Sequence, residues 1–138
     1  MAIRVVRDQT ASMRHEIHVG RNRLATDGSV EEGGEASGPN PHDLYDSALG
    51  ACKALTVLWY AKRKGIPVEG IEVSVERDAS QERSGVYRLS AQLSLTGNLT
   101  ESQRQDLLRV AEKCPVHKLM TTTEVLIETE PLALTADV

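Results

Sequence analysis

The two cysteines, Cys52 and Cys114, are the side chains of this sequence best suited to covalent chemistry. They lie 62 positions apart, so they form neither a CxxC redox motif nor a closely spaced pair of zinc ligands. In a reducing compartment such thiols are buried bystanders, metal ligands or redox-active groups, and a standing structural disulfide is disfavoured. Any joint role of the two thiols must therefore be produced by the fold.

Cys52 lies in an apolar stretch with helical spacing, and a packed core cysteine is its simplest interpretation. The residues that share its predicted helix face are mostly apolar: Tyr45, Ala48, Leu49, Leu55, Thr56 and Trp59.

Cys114 is placed differently, because it precedes Pro115 between two short helical segments. That position is a helix N-cap, where free N–H groups favour a thiolate, and His117 could add a positive neighbour. The alternative is that a cysteine before proline simply ends a helix. A metal site built from Cys52, Cys114, His117 and His42 is a third interpretation, but no short-spaced ligand pair supports it.

The element that must position Cys52 is a long helix predicted from Pro41 to Lys64. Asn40 is suited to the N-cap and Pro41 to the first turn, while three basic residues and Gly65 mark the end. Much of its circumference is apolar, which predicts a central helix covered on more than one side.

The remaining elements are predicted from period-two alternation, turn residues and a second capping box at Thr100 and Gln103. Strands are expected at 3–6, 13–19, around 24, 71–77, 86–95 and 124–128, with a mobile glycine-rich loop at 27–39, a helix from 101 to about 114 and a helical turn at 116–120. The order β-β-β-α-β-β-α-β predicts an α+β fold with mostly antiparallel sheet.

Length and composition restrict the function classes. The 138 residues suit a single domain over 1–138, and the net charge of −4 with 3% aromatic residues argues against a nucleic-acid or membrane-surface partner. There is no run of 18 apolar residues and no signal-peptide pattern at the start, which predicts a cytoplasmic protein.

Two segments carry a resemblance to a known family. The run GPNPHDLYDSALGACKALTVLWYAKRKGIP, residues 38–67, and EKCPVHK, residues 112–118, resemble the two signature segments of the OsmC/Ohr family, the osmotically inducible and organic hydroperoxide resistance proteins. The likeness is greater to the OsmC-like branch and extends over nearly the whole chain.

The resemblance implies an intertwined homodimer that reduces organic hydroperoxides with electrons from a dithiol, with no metal or organic cofactor. It places Cys52 at the peroxidatic position and Cys114 at the resolving one. A long apolar helix in so small a chain also favours cover by a second subunit.

One position departs from the family pattern. Family members commonly activate the first cysteine with an arginine from the N-terminal region, held by a glutamate ten residues before that cysteine; here the glutamate position is His42. Arg21 and Arg23 are the candidates for the cation, and Asp43 is the candidate to replace the glutamate. The alternative function is a non-catalytic OsmC-like protein that binds an apolar small ligand at the dimer interface.

Overall fold

The computed structural model describes residues 2–131 of the chain. Its elements, in chain order, are β1 Ile3–Arg7, β2 His15–Val19, β3 Asn22–Thr26, α1 Pro41–Lys64, β4 Gly70–Asp78, a short 3-10 helix Glu82–Ser84, β5 Arg88–Thr96, α2 Glu101–Glu112 and α3 Pro115–Thr121.

The strands form two antiparallel sheets. One has the order β1-β2-β3, and the other is the long hairpin β4-β5, in which Val75 pairs with Ala91. Along β4 and β5 partly buried and exposed residues alternate, as the period-two pattern predicts. The predicted α+β class with mostly antiparallel sheet is confirmed.

α1 has the predicted bounds because both of its ends are capped. The Asn40 side chain accepts the Asp43 N–H, and the Asp43 carboxylate accepts the Asn40 N–H, which completes a capping box. At the other end Gly65 adopts φ 67°, a left-handed conformation that glycine takes without strain, and its N–H bonds to the Ala61 carbonyl.

The core lies where α1 crosses the β4-β5 hairpin and packs against α2. Val57, Ala61, Leu107 and Ala111 are its most buried members. Gly50 lets the helix approach the hairpin closely, since a Cβ there would lie 3.1 Å from Val75 Cγ2.

α1 is covered on one side only, whereas the sequence predicted cover on more than one side. Its opposite face exposes Tyr45, Leu55 and Trp59, which are 47%, 68% and 61% accessible in the single chain. The three-stranded sheet does not fill this gap, and its own Ile3 and Val5 are exposed.

The predicted strand at 124–128 is absent, because residues 124–131 form neither helix nor strand. A strand exists only when its backbone pairs with another strand, and no strand of the described chain is available at this position. Val125, Leu126 and Ile127 are exposed as a result.

The loop at 27–39 was predicted to be mobile but is organised by hydrogen bonds to one carboxylate. Buried Asp27 accepts the N–H groups of Gly28, Glu35 and Ser37 and the Ser37 hydroxyl. The Ser37 hydroxyl bond is the first reason that the pKa of Asp27 is lowered to about 2. A high glycine content therefore accompanies a structured loop here.

Candidate functional site

The fold brings the two cysteines together at the middle of α1. Cys52 extends from the fourth turn of α1, and Cys114 occupies the bend between α2 and α3. Both are free thiols, and the Cys52 side chain is near enough to Cys114 to influence its ionisation. Two residues far apart in sequence thus share one location because α1 packs beside the α2–α3 bend.

Cys114 is the N-cap of α3, as predicted. Its Sγ accepts the His117 N–H at 3.4 Å, and the residue is completely buried. Burial raises the pKa of the Cys114 thiol, and the neighbouring Cys52 raises it further. The His117 N–H and the positive charge of Lys53 act in the opposite direction. Burial outweighs the N-cap, so this thiol stays protonated at neutral pH.

Cys52 is more accessible than Cys114. Its residue is half-buried, and its Sγ lies 3.9 Å from the Thr56 hydroxyl oxygen. One turn along α1, a shallow hollow of about 390 Å³ opens between the helix and the bend, lined by Leu55, Thr56, Trp59, Lys113 and Pro115. An apolar molecule could therefore approach α1 from its uncovered face.

Lys53 is a buried lysine within the apolar stretch of α1, and it was not predicted as a site residue. Its Nζ donates to the Ala111 carbonyl and to His117 Nδ1, each at 3.0 Å. An ammonium can only donate, so Nδ1 is the acceptor atom of the His117 ring in this contact. The available signal was spacing, because position 53 lies four residues from both Leu49 and Val57, which are buried.

Asp43 holds an arginine, but one from β4. Arg77 Nη2 bonds the Asp43 carboxylate, and Arg77 Nε bonds the buried carboxylate of Asp46 at 2.5 Å. The Arg77 bond is the first reason that the pKa of Asp43 is lowered. Asp46 also accepts the Tyr87 hydroxyl; burial, followed by this bond, raises the pKa of Tyr87 to about 12. Arg77, Asp46 and Tyr87 were not among the predicted site residues.

His42 lies at the exposed start of α1. Its Nε2 is 3.0 Å from both carboxylate oxygens of Glu82, and its ring packs edge-on against Tyr87. The position that holds a glutamate in the resembled family thus carries a histidine paired with the 3-10 helix.

Arg21 lies at the turn between β2 and β3, Arg23 lies in β3 opposite His18, and both are exposed. Within residues 2–131 of a single chain, neither makes a hydrogen bond or an ion pair with His42 or Asp43. The structure therefore brings Cys52 and Cys114 together, and within the described single chain it pairs neither arginine with Asp43.

The described part of the chain contains neither a metal-binding cluster nor a membrane-spanning helix. No cluster of three or more histidine, cysteine, aspartate or glutamate residues has the arrangement to hold a metal ion. None of the described helices combines the length and apolarity that crossing a bilayer requires.

The fold matches solved structures of one class, the OsmC/Ohr fold. An OsmC-like protein from Mycoplasma pneumoniae superposes with a TM-score of 0.70 at 17% identity, covering 88% of this chain and 86% of that chain. The organic hydroperoxide resistance protein OsmC of Legionella pneumophila superposes with a TM-score of 0.62 at 21% identity, covering 88% of this chain and 90% of that chain. The organic hydroperoxide resistance protein OhrB of Bacillus subtilis superposes with a TM-score of 0.56 at 23% identity, covering 88% of this chain and 92% of that chain.

The sequence also matches the family model described as OsmC-like protein over residues 34–130. The chain belongs to the OsmC-like family, which confirms the resemblance found in the signature segments. A search of curated proteins finds no match.

Proposed function

We propose that this protein is a thiol-dependent peroxidase that reduces organic hydroperoxides, with Cys52 as the attacking thiol and Cys114 as the resolving thiol. The observation that carries the proposal is the meeting of two free thiols of unequal burial, one beside an open apolar face and one enclosed at a helix N-cap. Family membership and the names of the Legionella and Bacillus proteins support the substrate class.

The chemistry proceeds in two steps. The Cys52 thiolate attacks the distal peroxide oxygen, the O–O bond breaks, and the alcohol leaves after taking a proton, so that Cys52 becomes a sulfenic acid. Cys114 then attacks the sulfenic sulfur, which forms the disulfide and releases water. A dithiol reductant returns both cysteines to thiols by exchange, and no metal or organic cofactor enters the cycle. A reducing compartment such as the cytoplasm would supply such dithiols.

The protein acts as a homodimer in this proposal. The exposed face of α1, the exposed strand residues Ile3 and Val5 and the unpaired segment at 124–131 together offer apolar and backbone surface for a second copy. Such a partner would convert the open hollow beside Cys52 into an apolar pocket suited to an organic hydroperoxide.

The cation that activates Cys52 is proposed to be Arg21 or Arg23, with His42 and Asp43 as its supporting residues. The exposure of both arginines leaves them free to act across a dimer interface. Arg21→Gln and Arg23→Gln separate the two candidates, because only the activating arginine should slow sulfenic acid formation strongly when replaced. Equal, small effects of both changes would exclude this assignment.

A second function is favoured by the same uncovered apolar face. A chain with His42 in the glutamate position could bind an apolar ligand between subunits and leave its cysteines unused. The two functions differ in the fate of the thiols, since ligand binding consumes none.

The experiment is a thiol titration with intact mass before and after one equivalent of cumene hydroperoxide. The wild type should lose both thiols and about 2 Da, as closure of one disulfide requires. Cys114→Ser should retain a trapped sulfenic acid, and Cys52→Ser, the matched control, should remain unoxidised. If both thiols of the wild type survive, peroxidase activity is refuted and the apolar-ligand function takes its place. If Cys52→Ser consumes hydroperoxide as fast as the wild type, the assignment of Cys52 as the attacking thiol is refuted.

A further inference from the structure

Lys53 is a buried lysine that has no role in the reaction proposed above, and burying its charge costs free energy. The residue is only 5% exposed, and its Nζ bonds a backbone carbonyl, that of Ala111, and a ring nitrogen, His117 Nδ1, but no carboxylate. Among the described residues, no carboxylate lies within ion-pair distance of its Nζ. A buried ammonium without a counter-charge is costly, so a role in function is a reasonable explanation for it.

The ammonium is anchored on both sides of Cys114. Ala111 lies three residues before Cys114 in the last turn of α2, and His117 lies three residues after it in the first turn of α3. One side chain from α1 therefore ties together the two helix ends that meet at the buried thiol. The positive charge favours the ionised form of Cys114, against the effect of burial.

We propose that Lys53 is a positioning residue for the resolving step, holding the α2–α3 bend beside α1 and supplying the charge that favours the Cys114 thiolate as it forms. This inference rests on the proposed peroxidase function. Adjacent residues of α1 then serve the two steps of the reaction. Cys52 reacts with the peroxide, and Lys53 favours ionisation of Cys114, the thiol that forms the disulfide.

The step is balanced without any further reagent. The Cys114 sulfur forms the S–S bond with Cys52 while the S–O bond of the sulfenic acid breaks, and hydroxide leaves. The proton released by Cys114 joins that hydroxide as water. Lys53 keeps its own protons and contributes only its field and its two hydrogen bonds.

The titratable groups around Lys53 come from three helices. Cys52 lies next to it on α1, and Cys114 and His117 lie near it at the bend and in α3. Lys53 also lines a cavity of about 320 Å³, and Glu112 of α2 is another lining residue of that cavity. The effect of a charge change at position 53 must therefore be measured as the ionisation of Cys114 itself, in variants that keep the other groups unchanged.

The test compares charge with hydrogen bonding at position 53. Lys53→Gln keeps a donor for Ala111 or His117 and removes the charge, Lys53→Met removes both, and Lys53→Arg keeps the charge. Each is made in Cys52→Ser, which leaves Cys114 as the single thiol, and its thiolate absorbance is followed against pH. The corresponding variants lacking both cysteines provide the subtraction for the three tyrosines.

The expected result is an upward shift of the Cys114 midpoint by about one pH unit or more in Lys53→Gln, and little change in Lys53→Arg. In the two-cysteine protein, Lys53→Gln should form the Cys52 sulfenic acid at an ordinary rate but close the disulfide roughly tenfold more slowly. Lys53→Met serves as a second uncharged variant should Lys53→Gln fail to fold.

An unchanged midpoint in the uncharged variants overturns the inference, and so does an equal shift in Lys53→Arg, which would indicate a purely structural role. The titration needs no peroxide. If the wild type is never oxidised while the midpoint shifts as expected, the proposed function fails at the peroxide step and the charge coupling of Lys53 to Cys114 still stands.

Discussion

Arg77 is expected to fasten β4 to the start of α1, and its replacement gives the most quantitative prediction. Arg77→Met keeps the aliphatic stem of the side chain but removes its bonds to Asp43 and Asp46. Asp46 then retains one partner for a nearly buried carboxylate, the Tyr87 hydroxyl.

The expected magnitude follows from the burial of each bond. The Asp46 side chain is 9% exposed, so losing its charge-assisted bond should cost about 2 kcal/mol. The Asp43 and Arg77 side chains are 43% and 34% exposed, so solvent screening limits that pair to about 0.5 kcal/mol. The total is about 2.5 kcal/mol in the free energy of unfolding.

Urea unfolding at a fixed protein concentration measures this loss, because the stability of the proposed dimer would depend on concentration. A double-mutant cycle with Asp46→Asn should give a coupling of about 1.5 kcal/mol. Arg83→Met is the matched control, since Arg83 is exposed on the 3-10 helix, and it should change stability by less than about 0.5 kcal/mol. A loss below about 0.5 kcal/mol for Arg77→Met would refute the reasoning.

Three further changes test the loop and the core. Asp27→Asn should destabilise the protein and remove part of its acid sensitivity: because folding lowers the Asp27 pKa from 3.8 to about 2, that stability is present above about pH 4 and lost as the pH falls towards 2. Gly34→Ala should cost about 2 kcal/mol, since its methyl group would lie 2.2 Å from the Gly28 carbonyl oxygen. Leu107→Ala, at a fully buried site, should cost about 3 kcal/mol.

The same urea titrations, repeated from pH 2 to 7, measure all three. Glu31→Gln is the control within the loop, because Glu31 is exposed, and it should leave the acid sensitivity intact. An Asp27→Asn profile parallel to that of the wild type would contradict the assignment of Asp27. A Gly34→Ala variant as stable as the wild type would show that the loop can rearrange without cost.

Elements with local signals could be predicted from the sequence. The bounds of α1 follow from Asn40, Pro41 and Gly65, because caps act on the backbone within a few residues of themselves. The alternation in β4 and β5 likewise reports one covered face. The prediction of a strand at 124–128 is wrong because alternation of apolar and polar residues indicates only that one face is apolar, whereas a strand also needs a second backbone to pair with.

The candidate site was predictable only in part. The signature segments identified both cysteines, but composition and spacing alone left packing and reactivity as alternatives. Lys53 and Arg77 acquire their roles from neighbours 58 and 31 residues away, Ala111 and Asp46. Such contacts depend on how α1 crosses the hairpin and α2, which local patterns do not specify.

The open face of α1 also has a spectroscopic consequence. Trp59 is the single tryptophan of the chain, lies on that face and carries the Arg63 guanidinium 5.0 Å from its ring centroid. Its emission is therefore an intrinsic reporter of whatever covers this face. A blue shift with rising protein concentration would record assembly, and one at constant concentration would record a ligand, without a label being added to the protein.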